Sequence, residues 1–144
     1  MKINRHVGRE FALKTLYTWE FRERNKPLLD VLTENNRHFY EYQDKKLEFT
    51  QLILEGIDKN LETIEQHIRD FAPEWPLEKI ALIDRCILYI GIFEILFNKE
   101  VPEVVAINEA VELAKNYGSE TSSKFVNGVL NTIFQKIKTS DKQD

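Results

Sequence analysis

Leu77-Glu-Lys-Ile-Ala-Leu-Ile-Asp-Arg-Cys-Ile-Leu-Tyr-Ile-Gly-Ile-Phe-Glu-Ile-Leu-Phe97 is apolar on nearly every side when wound as a helix. A helix of this kind belongs at the centre of a fold, enclosed by other elements, because a surface helix keeps one polar face. Asp84, Arg85 and Glu94 interrupt the run, which argues against a membrane span. A buried central helix over 77–97 therefore requires other elements on both sides of it in the sequence to enclose it.

On its N-terminal side, Ala72-Pro-Glu-Trp-Pro76 places two prolines within four residues. Each biases its predecessor out of the helical region, so this is the clearest break in the chain. Before it, Leu47, Leu52, Ile53, Ile57, Leu61, Ile64 and Ile68 recur at helical spacing from Asp44 to Phe71, with a break expected near Asn60. The stretch His38-Phe-Tyr-Glu-Tyr42 is ambiguous. A short helix is expected from Pro27 to about Asn36, since proline is tolerated in a first turn. The first helix runs from Asn4, an N-cap residue, to about Arg24, with Ala12, Leu13, Leu16, Tyr17 and Trp19 at spacings of three and four.

On its C-terminal side, Glu100-Val-Pro102 restarts the chain and Val104 to Lys115 is strongly helix-forming. Gly118 is expected to close that helix in the left-handed conformation. Ser119-Glu-Thr-Ser122 supplies capping side chains for a last helix carrying Phe125, Val126, Val129, Leu130, Ile133, Phe134 and Ile137. Gly128 within it is expected to mark a close helix–helix contact. No segment alternates with strand period and no repeat is visible. The fold class is all-α: about six or seven helices in two packed three-helix halves, 1–72 and 77–138, within one domain, followed by a short polar tail at 139–144.

The 144 residues, 42% of them apolar, suffice for one core. The single cysteine, Cys86, permits no intrachain disulfide and reads as a small core hydrophobe in a reducing cytoplasm. The N-terminus shows no apolar signal core, which again points to a cytoplasmic protein. His6, His38 and His67 lie on separate segments without thiolates or acids at ligand spacing, so surface histidines are favoured over a zinc site. No phosphate loop, nucleophile elbow or paired cysteine appears. Neither an enzyme nor a cofactor is expected.

The net charge of −4 hides an uneven distribution. Residues 1–26 carry seven Lys/Arg against three Glu, a net of +4, which leaves −8 for the rest. Lys2, Arg5 and Arg9 are spaced by three and four, and the stripe continues through Leu13 to Tyr17. Cations beside an aromatic ring suit single-stranded RNA: the cations neutralise phosphates and the ring accepts an unstacked base. Solvated charges next to a core tyrosine are the competing reading of the same pattern.

Val101-Pro-Glu-Val-Val-Ala-Ile-Asn-Glu-Ala-Val-Glu-Leu-Ala-Lys-Asn-Tyr-Gly118, followed by Lys124-Phe-Val-Asn-Gly-Val-Leu130, closely resembles the C-terminal signature of the NusB family. The resemblance extends to Ile83-Asp-Arg-Cys-Ile-Leu88 with Glu94, and to Arg9-Glu-Phe-Ala-Leu-Lys-Thr-Leu-Tyr-Thr-Trp-Glu20, leaving about residues 25–70 weakly diagnostic. It implies two three-helix bundles that bind the boxA element of nascent ribosomal RNA transcripts. It also implies a heterodimer with NusE, a small-subunit ribosomal protein, loaded onto RNA polymerase as part of an antitermination complex. By the family's pattern the RNA-binding residues would be Lys2, Arg5, Arg9, Tyr17 and Lys124. Asp84 and Glu78 would face the basic ribosomal protein, with helix-end stabilisation as the alternative reading of these acids. A homodimer covering the RNA surface is compatible with the sequence. The chain departs from the family in a sparser arginine cluster at its start, and in Tyr89 and Phe93, which stand where a basic residue and a tyrosine are common.

Overall fold

A computed structural model describes residues 5–38, 44–72 and 76–143. Among these, all regular structure is helical: α1 (Arg5–Phe21), α2 (Leu28–His38), α3 (Asp44–Phe71), a 3-10 turn (Leu77–Lys79), α4 (Leu82–Phe97), α5 (Glu103–Tyr117) and α6 (Ser122–Gln143). The all-α expectation holds, with six α-helices. Most of the ambiguous stretch after His38 lies outside the described residues.

The central helix is α4, eleven of whose sixteen residues are buried. It packs against α1 and α3 on one side and α5 and α6 on the other. One continuous apolar cluster results, joining Leu16, Ile53 and Ile57 to Ile87, Leu88, Leu113 and Leu130. Burial of each such side chain contributes about 1.5–3 kcal/mol. Cys86 is fully enclosed in this cluster, and burial pushes its thiol well above the ordinary range, as fits a packing role.

The start of α4 corrects the reading of 77–97 as one helix. Leu77–Lys79 forms a separate 3-10 turn, and Ile80 (ψ 132°) and Ala81 (ψ 135°) are extended before α4 begins. The turn seals Leu77 and Ile80 into the core. Asn60 does break α3, with φ −116° and ψ 19°. Its side chain donates to the Gly56 carbonyl at 2.8 Å.

α1 stops through an unusual device. Glu23 (φ 55°) and Arg24 (φ 56°) both adopt the left-handed conformation without being glycine, at a cost of about 1–2 kcal/mol each. The Arg24 amide caps Trp19 O at 2.8 Å, and its guanidinium lies 4.6 Å from the centroid of the Trp19 ring. The same guanidinium donates to Glu20 and, at 3.4 Å, to the Tyr89 hydroxyl. Burial works to lower the Arg24 pKa, but hydrogen bonding and charge from Glu20 outweigh it and hold the group firmly protonated.

Two glycine expectations are corrected. Gly118 sits at φ −94° and ψ −169°, an extended conformation; the glycine is needed there for space, since a Cβ would stand 2.5 Å from Ser122 and 2.8 Å from the Ala114 carbonyl oxygen. A Cβ added at Gly128 would meet nothing within 4 Å, so this glycine faces open space. The close helix approaches lie instead at Gly56 and Gly91, where a Cβ would strike Phe93 and Leu130. α6 also continues as helix through the expected polar tail as far as Gln143.

Candidate nucleic-acid interface

An α-helix turns about 100° per residue, so residues spaced by four drift about 40° at each step. A stripe from Arg5 to Tyr17 therefore winds around α1 instead of staying on one face. Arg5 is half-buried, Arg9 and Leu13 are buried, and Tyr17 re-emerges 38% exposed. Lys2 lies outside the described residues.

Arg9 corrects the expectation of a phosphate ligand. It is 2% exposed, and its Nε and Nη2 donate to Glu94 Oε1 and Oε2 at 2.6 and 2.8 Å. This is a two-pronged ion pair between α1 and α4, the strong geometry for guanidinium and carboxylate. The Arg9 guanidinium also sits 5.2 Å from the Phe49 ring centroid on α3. With Glu109 of α5 3.7 Å away as well, a group so enclosed joins four helices and has no surface to offer a phosphate. The Arg5 guanidinium, one turn earlier, lies 5.6 Å from the centroid of the same ring.

Near the start of α1, His6 stands between two carboxylates, 3.4 Å from Glu10 and 3.4 Å from Glu109 of α5. Glu10 also accepts a short hydrogen bond from the Tyr117 hydroxyl at the end of α5. At the other end of α1, Phe21 is 71% exposed. Its ring lies nearly parallel to Tyr17, at 14°, with centroids 6.2 Å apart. Phe21 was missed in the sequence, although its spacing of four from Tyr17 already placed the two rings side by side. Lys124 is exposed in the first turn of α6.

Tyr89 is fully buried and donates to Glu65 at 3.2 Å. Burial, then the nearby Glu20 and Glu65 charges, push its phenol well up. Position 89 thus presents a neutral hydroxyl, with the Arg24 guanidinium brought to it from another element.

The two candidate partner residues differ sharply. Glu78 is exposed on the 3-10 turn. Asp84 is 8% exposed, in the first turn of α4, and its Oδ1 has no hydrogen-bond partner. It lines a cavity of about 300 Å³ together with Lys79, Ile80, Thr121 and Phe125. An unsatisfied buried acceptor costs about 1–3 kcal/mol, and this oxygen is shielded from solvent. Among the described residues, no cluster of three or more potential ligands could hold a metal. No helix among them is long and apolar enough to cross a membrane.

A model of the NusB family matches residues 6–135. A transcription antitermination protein NusB of Methylacidiphilum infernorum is 39% identical over 134 residues, covering 92% of both chains. Among solved structures, Thermotoga maritima NusB superposes with a TM-score of 0.85 at 37% identity, covering 94% of this chain and 93% of that one. A structure described as antitermination factors NusB and NusE with double-stranded RNA shares the fold, with a TM-score of 0.82 at 23% identity over 92% of this chain and 96% of that one.

Proposed function

The chain belongs to the NusB family, and on that premise we propose that it acts in transcription antitermination by binding single-stranded boxA-type RNA of nascent ribosomal transcripts jointly with NusE. The observation that carries this reading is the composition of α1. Residues 1–26, which include α1, carry seven Lys/Arg against three Glu in a net-acidic chain, and α1 ends in the exposed Tyr17 and Phe21 rings. Phosphates fall to Lys2, Arg5 and Lys124, and a base stacks on Tyr17. Arg9 contributes by fixing α1 against α4. A NusB of the same fold has been solved with NusE and double-stranded RNA, which supports the pairing with NusE here. The complex so formed would join RNA polymerase in the cytoplasm.

The Arg5→Ala variant should bind a boxA-like strand several-fold more weakly at low salt, with the salt slope reduced by about one. Tyr17→Ala should lose affinity while keeping the slope, since stacking involves no counterion release. Filter binding across a salt series separates the two effects, and identical slopes for Arg5→Ala and wild type would remove Arg5 from the phosphate contacts.

Asp84 provides the partner contact in this reading. Its carboxylate, on the wall of a small cavity, suits a lysine or arginine of the basic ribosomal protein, with exposed Glu78 steering the encounter. Asp84→Asn keeps the shape and removes the charge, and should weaken heterodimer formation about tenfold by calorimetry. Unaltered affinity would contradict the assignment.

The burial of Arg9 favours a second reading, in which the chain keeps the ribosomal-protein partner and contributes little RNA affinity of its own. In that case the Asp84→Asn result stands and the Arg5→Ala effect vanishes.

A further inference from the structure

His6 stands in the first turn of α1 with both ring nitrogens facing carboxylates. Its Nε2 lies 3.4 Å from Glu10 Oε1 on the same helix, and its Nδ1 lies 3.4 Å from Glu109 Oε2 on α5. The His6 side chain is 43% exposed, against 26% for Glu10 and 29% for Glu109, so the ring exchanges protons with water while its partners are partly shielded. Only an imidazolium carries N–H groups at both nitrogens; a neutral ring has one N–H and one bare acceptor. At this spacing the neutral ring turns a lone pair towards one of the two carboxylates, whereas the charged ring faces each with a donor.

The surrounding charges fix what that proton does. On α1, Arg9 approaches Glu109 at 3.7 Å but is held at both prongs by Glu94 of α4. From α5, the Tyr117 hydroxyl donates to Glu10. α3 meets this end of α1 with Phe49, beside the Arg5 and Arg9 guanidiniums, and with Thr50, whose hydroxyl donates to the Gly8 carbonyl at 2.8 Å. α2 meets α1 further along, where Asn35 donates to Thr15. Against Glu10, Glu94 and Glu109, Arg9 and a protonated His6 leave one negative charge uncompensated, and a neutral His6 leaves two. Arg5, assigned above to a phosphate, precedes His6 in the same turn. Negative charge uncovered beside it repels the strand that Arg5 attracts.

We propose that His6 is a positioning residue for the RNA surface: as an imidazolium it ties the first turn of α1 to α5 through Glu10 and Glu109 and masks both acids, so that RNA affinity follows the proton on this ring. This rests on the RNA-binding reading above and adds its control by pH. The sign follows from the charges. Lowering the pH places the proton on the ring, completes the bridge and favours RNA. Raising it through the range in which imidazoles titrate, about pH 5 to 8, removes both effects. The ring acts through the two acids and touches no phosphate itself.

Two measurements test this. In the free protein, thermal unfolding of wild type, His6→Gln, Glu109→Gln and the double variant forms a cycle. The coupling between positions 6 and 109 should shift the midpoint by about 1–2 °C at about pH 6 and vanish at about pH 8. In the complex with NusE, a boxA-like strand should lose about threefold more affinity for wild type than for His6→Gln over the same rise in pH. The salt slope of the wild type should be equal at both pH values, because no phosphate contact is added. Absence of coupling at the lower pH, or the same pH response in wild type and His6→Gln, would overturn the proposal and leave the antitermination reading intact. A slope steeper by about one at the lower pH would put the ring on a phosphate and overturn it equally. Absence of RNA binding by the wild-type complex at either pH would overturn both.

Discussion

Replacing Glu94 by alanine should lower the unfolding free energy by about 3–5 kcal/mol, the usual loss when one partner of a buried ion pair is removed. The cause is Arg9. At 2% exposure its guanidinium would keep only Glu109, 3.7 Å away and partly solvated, as a counter-charge. A chain of this size would melt on the order of 10 °C lower. Arg9→Met combined with Glu94→Met fills similar volume without a charge and should recover most of the loss, because apolar replacements of buried pairs are often neutral. Urea unfolding of the single and double variants reads this directly. If Glu94→Ala cost under about 1 kcal/mol, the pair would not be the junction of α1 and α4 described above.

Gly56→Ala is the second large effect expected. Alanine in place of glycine inside a helix ordinarily gains up to about 1 kcal/mol. Here the new Cβ would stand 1.9 Å from Phe93 Cε1 and 2.5 Å from Cζ. Phe93 is 5% exposed, so its ring cannot swing clear, and the net result should be a loss of about 2 kcal/mol. Phe93→Leu in the same chain should relieve the clash and return part of it. Gly91→Ala should cost less, since the nearest atom is the flexible end of Leu130 at 2.7 Å. Equal stability of Gly56→Ala and wild type by denaturant titration would show that α3 and α4 can separate here at no cost.

These two sites also mark what the sequence reading reached and what it missed. The burial of α4 on all sides, the helical periods flanking it and the break at Asn60 were legible because each follows from local composition and spacing. Which glycine permits a close approach was not. Gly128 sits in a promising pattern yet faces open space, while Gly56 matters because of a ring on another helix. The turn at Leu77–Lys79 escaped notice for the same reason. Its extended link through Ile80 and Ala81 has no glycine or proline of its own and is set by burial of Leu77 and Ile80.

In the candidate site, the spacing of Arg5, Arg9 and Tyr17 was read as one face. The drift of about 40° per step turns Arg9 inward, to a carboxylate 85 positions away. Side-chain spacing reports neighbours on one helix, and the fate of a charge depends on what the next helix presents. Tyr17 was legible as an aromatic near cations, but the seat of His6 between Glu10 and Glu109 joins residues from separate helices. Asp84 was singled out by resemblance; its unpartnered oxygen and the cavity beside it belong to the packed structure.

The central claim is cooperative RNA recognition, and a salt-titrated binding assay addresses it most directly: a boxA-like single strand and a scrambled control, each with and without NusE. The account predicts weak, poorly selective binding by the chain alone and tight, selective, salt-sensitive binding to the boxA-like strand once NusE is added. Failure to distinguish the two strands with NusE present would contradict it.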